Sequence, residues 1–135
     1  MNSRILVVDD HPDILRLLTC VLETAGYAVI TAMRGDDALE QWQAHQPDLV
    51  LLDINLPGMS GDLVCHTIKT SSSTPVIIMT GQAVTEIQLS QRVPGADGYL
   101  LKPFDVIGLS DQISHLVDGV TTAPLEMSLG SSERR

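Results

Sequence analysis

Four short apolar segments of this chain each run directly into a polar residue. The clearest is Leu49–Leu52, which leads into Asp53 and is followed by the turn-forming pair Pro57-Gly58. Four consecutive apolar residues indicate a strand buried on both faces, because a half-buried strand would alternate and a helix would need a longer pattern. An unpaired carboxylate is costly to bury, so Asp53 is expected to emerge at the strand's carboxyl end. Open α/β sheets bind ligands at that edge.

The other three segments deliver further polar groups. One leads into Asp9 and Asp10, one into Thr80, and one into Lys102-Pro103. Between the apolar segments lie stretches whose apolar residues recur every three or four positions, which is typical of helices with one buried face. A further short strand is predicted at Tyr27–Ala32, so strand and helix alternate five times. This order predicts an α/β fold with a parallel sheet and helices on both faces. The polar residues then share one edge of the sheet.

The predicted elements occupy most of the chain. The strands are Arg4–Val8, Tyr27–Ala32, Leu49–Leu52, Val76–Met79 and Tyr99–Leu101, and the helices begin at His11, Gly35, Asp62, Ala83 and Asp105. The pattern stops near Gly119, and the residues beyond it are rich in Thr, Ser and Gly. We therefore expect a single domain over residues 1–118 and a flexible tail or linker over residues 119–135.

Composition narrows the classes of function. With 135 residues, 44% of them apolar, the chain can bury a real core. Its net charge of -9 disfavours direct nucleic-acid binding, since phosphates would be repelled. No apolar run is long enough to cross a membrane and no signal peptide is evident, so we expect a cytoplasmic protein without membrane attachment. The two cysteines are expected to be reduced core or boundary thiols, and they share no zinc-ligand spacing with the four histidines.

The polar residues at the sheet edge suggest phosphoryl chemistry. Asp9, Asp10 and Asp53 would repel one another unless a cation neutralised them, and Mg²⁺ suits carboxylate and carbonyl oxygens while leaving coordination positions open. Lys102 adds a mobile positive charge and Thr80 adds a hydroxyl donor. A cation, an ammonium group and a hydroxyl around one carboxylate are what phosphoryl transfer onto that carboxylate requires.

Together these residues closely resemble the receiver domain of bacterial two-component response regulators. The resemblance rests on Asp9-Asp10, on Asp53 with Pro57-Gly58, on Thr80, and on Tyr99 with Lys102-Pro103-Phe104, and it covers roughly residues 3 to 118. It implies a flavodoxin-like (βα)₅ doubly wound fold with five parallel strands in the order 2-1-3-4-5. It also implies a signalling module that is not an enzyme in its own right but promotes its own phosphorylation and dephosphorylation.

The resemblance assigns a role to each residue of the site. Asp53 would be the phosphoacceptor. Mg²⁺ would be held by Asp9, Asp10, Asp53 and the backbone carbonyl of Asn55, with Asp10 as a direct ligand and Asp9 acting largely through water.

Thr80 and Lys102 would hold the oxygens of the phosphoryl group. Thr80 and Tyr99 would form the conformational switch, and a cis peptide would join Lys102 to Pro103.

The resemblance also implies partners. A histidine kinase or histidine phosphotransfer protein would donate the phosphoryl group. An output protein or a C-terminal output domain would receive the signal, and a second copy of the chain is a further candidate partner.

Other interpretations fit parts of the pattern. Taken singly, Asp9 and Asp10 could cap a helix, Thr80 could merely end a strand, and Lys102 could be an ordinary surface lysine. A phosphohydrolase would also place a nucleophilic Asp after an apolar strand, but such enzymes commonly carry a second Asp two residues on, where this chain has Asn55. A phosphorylation-independent binding domain would be favoured by loss of Lys102 or of the acidic pair, and the sequence keeps both.

Overall fold

The computed structural model of the chain describes residues 3–81, 88, 91–93 and 95–101. Strands and helices alternate through this part of the chain. They are β1 (Arg4–Val8), α1 (Pro12–Thr24), β2 (Ala28–Ala32), α2 (Gly35–His45), β3 (Leu49–Asp53), α3 (Gly61–Ser71), β4 (Val76–Thr80) and β5 (Gly98–Leu101). The bounds differ from the predicted ones mainly in that Asp53 and Thr80 are the last residues of their strands rather than the first residues beyond them.

The five strands form one parallel sheet in the order β2-β1-β3-β4-β5. This confirms the predicted topology. Strand β3 lies at the centre, with Val8 of β1 aligned to Leu52 and with Met79 of β4 aligned to Asp53. The carboxyl ends of β1, β3 and β4 therefore lie side by side, which brings the polar residues that follow or end them to one edge.

Both faces of the sheet are covered, because side chains of a strand alternate between its faces. On one face, α1 packs its buried leucines against one set of strand residues, which comprises Ile5, Val7, Leu49, Leu51, Ile77 and Met79. On the other face, α2 and α3 contribute Ala38, Val64, Cys65 and Ile68 to a cluster with Leu6, Val8, Val50, Leu52, Val76 and Ile78. The central strands are buried on both faces, as their continuous apolar runs predicted.

Local sequence explains where the helices begin and end. Pro12 opens α1 after His11, in keeping with the preference of proline for the first turn, and the chain turns back at Gly26 with a φ of 100°. Helix α2 is followed by Gln46 in the left-handed conformation, with a φ of 47°.

Of the two cysteines, Cys65 is buried as expected, whereas Cys20 is exposed on α1, so the expected core or boundary position is wrong for Cys20.

Several predictions made from the sequence lie outside the described residues. These are Lys102 and Pro103 with their cis peptide, the helix beginning at Asp105, the tail over residues 119–135, and most of the helix predicted from Ala83. Within the helix predicted from Ala83, the described residues Gln88, Gln91 and Arg92 are helical. Among the residues that the structure describes, no helix combines the length and the apolar character needed to cross a bilayer.

Candidate functional site

Two neighbouring segments bring an acidic cluster together at the carboxyl edge of the sheet. Asp9 and Asp10 follow β1, His11 precedes α1, and Asp53 ends the neighbouring strand β3. One side-chain oxygen or ring nitrogen from each of these four residues lies within 4.8 Å of the others. The predicted convergence of Asp9, Asp10 and Asp53 is therefore confirmed, and the structure adds His11 to it.

Two of the three carboxylates, those of Asp9 and Asp53, are buried. Asp9 is fully buried and Asp53 is 3% exposed, so the expectation that Asp53 emerges from the core is wrong. Backbone donors explain how both are tolerated: the N–H of His11 donates to Oδ1 of Asp9 at 2.9 Å, and the N–H of Asn55 donates to Oδ1 of Asp53 at 3.0 Å. Each carboxylate is thus held by the residue two positions further along the chain, which fixes its orientation.

Asp10 supplies the observation that fits a cation. Its Oδ1 atom is buried and accepts no hydrogen bond from the described residues, although Nδ1 of His11 lies 3.2 Å away. A buried carboxylate oxygen without a donor is costly, and here it stands beside two further carboxylates. Hard divalent cations take such oxygen ligands, so the residues present suit a divalent metal ion.

His11 is the site residue that the sequence analysis missed. Its Nδ1 atom lies 2.9 Å from Oδ1 of Asp9, and its side chain is 65% exposed. The spacing of the histidines relative to the cysteines gives no indication of His11. The signal that could have identified His11 is its place directly after the acidic pair, where the chain turns from β1 into α1.

Thr80 and Tyr99 lie on the two strands beyond β3. Thr80 is fully buried and follows Met79, which is aligned with Asp53, so its position in the sheet places it at the same edge. Tyr99 is partly buried against the apolar cluster of Leu52 and Ile78, and its hydroxyl donates to the carbonyl of Val93 at 2.9 Å. Lys102 lies outside the described residues.

Helix starts surround the loop between β3 and α3. Gly35, at the start of α2, donates its N–H to the carbonyl of Pro57 at 3.3 Å, and Gly61, at the start of α3, donates to the carbonyl of Ile54 at 3.0 Å. The loop that carries Asn55 is therefore fixed by backbone hydrogen bonds to both helices.

At the start of α3, the Ser60 hydroxyl lowers the pKa of the Asp62 carboxyl.

Comparison with protein families gives a match over nearly the whole described region. The family model described as the response regulator receiver domain matches residues 5–114. That range includes every residue assigned to the site.

Individual relatives give the same result. The chain is 37% identical over 134 residues to the DNA-binding response regulator MtrA of Mycolicibacterium smegmatis, covering 98% of this chain and 59% of that protein. It is 39% identical over 104 residues to MtrA of Mycobacterium leprae, covering 77% of this chain and 46% of that protein. The chain thus spans about half the length of these curated relatives.

Solved structures agree with the sequence relatives. A CheY-like receiver domain protein of Methanospirillum hungatei superposes with a TM-score of 0.80 at 31% identity, over 88% of this chain and 96% of that one. The BeF₃-activated N-terminal receiver domain of Klebsiella pneumoniae RstA also gives a TM-score of 0.80, at 29% identity, over 85% of this chain and 98% of that one.

Proposed function

The chain belongs to the response regulator receiver domain family, and on that premise we propose that Asp53 is the residue that accepts the phosphoryl group in two-component signalling. One observation carries the assignment. Asp53 ends the central strand of the sheet, and its carboxylate lies within 4.8 Å of side-chain atoms of Asp9 and Asp10. A nucleophile placed among cation-binding carboxylates is the arrangement that phosphoryl transfer to a carboxylate needs.

The proposed step is a substitution at phosphorus. A carboxylate oxygen of Asp53 forms the new O–P bond while the P–N bond of a phosphohistidine breaks, and the electron pair of that bond stays on the departing imidazole nitrogen. The product is an acyl phosphate on Asp53. The N–H of Asn55 contributes by holding Oδ1 of Asp53, which limits rotation of the carboxylate and aligns it for attack.

The cation site is assigned to Asp9, Asp10, Asp53 and the backbone carbonyl of Asn55, with Mg²⁺ as the ion. When bound, Mg²⁺ supplies positive charge that offsets the carboxylates and the phosphoryl oxygens. The assignment is supported by Oδ1 of Asp10, which is buried and receives no hydrogen bond within the described part of the chain. Asp9 is held rigidly by the His11 N–H, so its carboxylate is preorganised whether or not an ion is present.

Thr80, Lys102 and Tyr99 are assigned to the response after transfer. Thr80 would donate its hydroxyl to a phosphoryl oxygen, and Lys102, joined to Pro103 by a cis peptide, would contribute its ammonium group. Tyr99 would then exchange its hydrogen bond with the Val93 carbonyl for a more inward position. Such a switch changes the surface around β5.

We assign the chain the role of a signalling module that promotes its own phosphorylation and dephosphorylation, rather than that of a phosphohydrolase. Asn55 stands two residues after the acceptor, where a general acid would be needed for hydrolysis of external substrates. The donor would be a histidine kinase or histidine phosphotransfer protein.

The output is assigned from the relatives. MtrA is named a DNA-binding response regulator and is about twice as long as the matched region, so a C-terminal output domain or a separate output protein would read the signal. Residues 119–135 would serve as the linker after the receiver domain of residues 1–118. A second copy of the chain is a further candidate partner.

The experiment that tests the acceptor uses acetyl phosphate and Mg²⁺. Intact-mass spectrometry of the wild-type chain should show one added phosphoryl group that hydroxylamine removes, and Asp53→Asn should show none. Asp48→Asn is the matched control, because Asp48 precedes the same strand at its opposite end and accepts a hydrogen bond from the N–H of Arg4. Equal phosphoryl uptake by Asp53→Asn and wild type would overturn the assignment.

A further inference from the structure

The loop after β3, the strand that ends at Asp53, is in unusually close contact with the start of α2. A Cβ atom added to Gly35 would lie 1.9 Å from the carbonyl oxygen of Met59 and 2.7 Å from its carbonyl carbon. Both atoms belong to the backbone, so no side-chain rotation can relieve the clash. Gly35 also donates its N–H to the carbonyl of Pro57 at 3.3 Å. Only a residue without a side chain permits this approach.

Arg34 extends the same contact. Its guanidinium lies over Gly58, such that a Cβ atom on Gly58 would be 2.6 Å from Nη2. The side chain is held there by Asp36, whose Oδ1 accepts from Nε at 3.1 Å, and this hydrogen bond lowers the pKa of Asp36. We name the segment Met33–Asp36 the β2–α2 junction. The junction therefore contacts the loop at Pro57, Gly58 and Met59.

The inner side of the loop is fixed by α3. A Cβ atom on Gly61 would lie 2.4 Å from the carbonyl oxygen of Asp53 and 2.7 Å from Cα of Ile54. The loop from Ile54 to Ser60 is therefore confined between two helix starts, with backbone in contact with backbone on each side. Any displacement at residue 35 has to be absorbed by the loop or by α2.

We propose that the β2–α2 junction, through Gly35 and Arg34, positions the loop that completes the phosphoryl-acceptor site. The inference rests on the proposed function of Asp53. Within the loop, Asn55 holds Oδ1 of Asp53 through its N–H, and its carbonyl is the proposed ligand of the cation. Gly35 is thus a positioning residue, which acts on the site through Met59 and Asn55 without touching the reacting atoms.

The expected size of the effect follows from the distances. Real Cβ contacts are essentially never shorter than 3.0 Å, so a methyl group at residue 35 displaces the Met59 carbonyl or α2 by roughly 1 Å. A misplacement of about 1 Å at a reacting centre can reduce a rate by about 100-fold. The loop has a second helix against its other side, so it cannot retreat without altering Asn55.

The test compares four glycine-to-alanine variants and one arginine variant in the full chain. Phosphoryl uptake from acetyl phosphate is followed by intact mass, Mg²⁺ affinity by calorimetry, and stability by urea unfolding. Gly35→Ala should weaken Mg²⁺ binding by at least about tenfold and slow uptake at saturating Mg²⁺ by about 10- to 100-fold. Gly61→Ala should behave similarly.

Two glycines serve as matched controls. Gly26 has a positive φ but open space around its Cβ position, so Gly26→Ala should lose stability through backbone strain and keep normal Mg²⁺ binding and uptake. A Cβ atom on Gly95 would meet only the side chain of Lys69 at 3.6 Å, so Gly95→Ala should change neither stability nor the site. The Gly26 variant separates loss of stability from loss of positioning.

The possible outcomes are distinct. If Gly35→Ala is folded and shows wild-type Mg²⁺ affinity and uptake, the proposal is overturned. If Gly35→Ala does not fold, Arg34→Ala decides: removing the exposed guanidinium above Gly58 should weaken Mg²⁺ binding about three- to fivefold, and no change would overturn the proposal. Failure of the proposed function has a different signature, because the wild-type chain itself would then take up no phosphoryl group on Asp53.

Discussion

Nδ1 of His11 lies 2.9 Å from Oδ1 of Asp9, although Asp9 is fully buried and the His11 side chain is 65% exposed. The same ring atom is 3.2 Å from Oδ1 of Asp10. The imidazole therefore lies against the two carboxylates that are proposed to bind the cation, on their solvent side.

This contact predicts that His11→Ala binds Mg²⁺ more tightly. A ring that donates to Asp9 and lies beside Asp10 competes with the ion, and one hydrogen bond is worth about 0.5–1.5 kcal/mol, so the affinity should rise about two- to tenfold. Calorimetric titration with Mg²⁺ measures the change, with His66→Ala, an exposed residue of α3, as the control. Weaker binding by His11→Ala would show that the ring supports the ion instead.

Asp10→Ala is expected to weaken Mg²⁺ binding by at least about tenfold while the chain stays folded, because the substitution removes a buried oxygen that accepts no hydrogen bond from any residue the structure describes. Circular dichroism and calorimetry report the two properties separately. Asp13→Ala is the control, since Asp13 is an exposed residue of the first turn of α1 that pairs with Arg16. Unchanged affinity in Asp10→Ala would remove Asp10 from the cation site.

Asp97→Ala should destabilise the fold at a point remote from the site. Oδ2 of Asp97 accepts from the N–H of Val76 at 2.8 Å and from Nζ of Lys69 at 2.9 Å. Without the carboxylate, the N–H at the start of β4 loses its acceptor, so we expect a loss of about 1–3 kcal/mol in the free energy of unfolding. Lys69→Met should cost less, because it leaves the Val76 bond intact. The reverse order in urea titrations would contradict this account.

Asp62→Asn should reduce stability in a pH-dependent way. The Ser60 hydroxyl, and more weakly the Arg92 guanidinium, lower the folded-state pKa of Asp62 below its ordinary value of 3.8. The carboxylate therefore stabilises the fold above that value, and the contribution is lost as the pH falls through the lowered pKa. We expect a deficit of about 0.5 kcal/mol near neutral pH, in line with a carboxylate at a helix start.

The deficit of Asp62→Asn should shrink as urea titrations are repeated at progressively lower pH, toward about pH 2.5. Glu40→Gln on the exposed side of α2 controls for a general loss of negative charge. A deficit that stays constant across this range would mean that the charge of Asp62 is not its cause.

The two cysteines should react at very different rates. Burial raises the pKa of the Cys65 thiol to about 11, whereas Cys20 is exposed on α1. At about pH 8 only about one Cys65 in a thousand carries the reactive thiolate, and access to it is restricted as well. Mass spectrometry after brief iodoacetamide treatment should find the adduct on Cys20, and Cys20→Ser should abolish it. Comparable modification of Cys65 in the folded chain would refute the prediction.

Much of the fold could be predicted from the sequence, because the period of the apolar residues determines it. The runs Ile5–Val8, Leu49–Leu52 and Val76–Met79 have no polar interruption, so they predict strands buried on both faces, and their order along the chain predicts parallel pairing. The convergence of Asp9, Asp10 and Asp53 followed from the same argument. The strand order 2-1-3-4-5 came from the family resemblance and was confirmed.

The remaining features depend on contacts between segments that no local pattern encodes. The burial of Asp53 depends on the Asn55 N–H folding back onto it. The contact between His11 and Asp9 depends on the turn from β1 into α1. The approach of Gly35 to Met59 joins residues 24 positions apart, and the sequence pattern indicates only that Gly35 begins a helix.

The alignment of Val8 with Leu52 has a consequence for signalling fidelity. Side chains of a strand alternate between faces, so sliding β3 by one residue against β1 would move each of Leu49–Leu52 to the opposite core cluster and would carry Asp53 away from Asp9. The register that packs the core therefore also places Asp53, the proposed acceptor, beside Asp9. A copy of the protein in which β3 has slipped should therefore be unable to accept the phosphoryl group. Such misfolding would cause loss of the signalling response rather than a response without a signal.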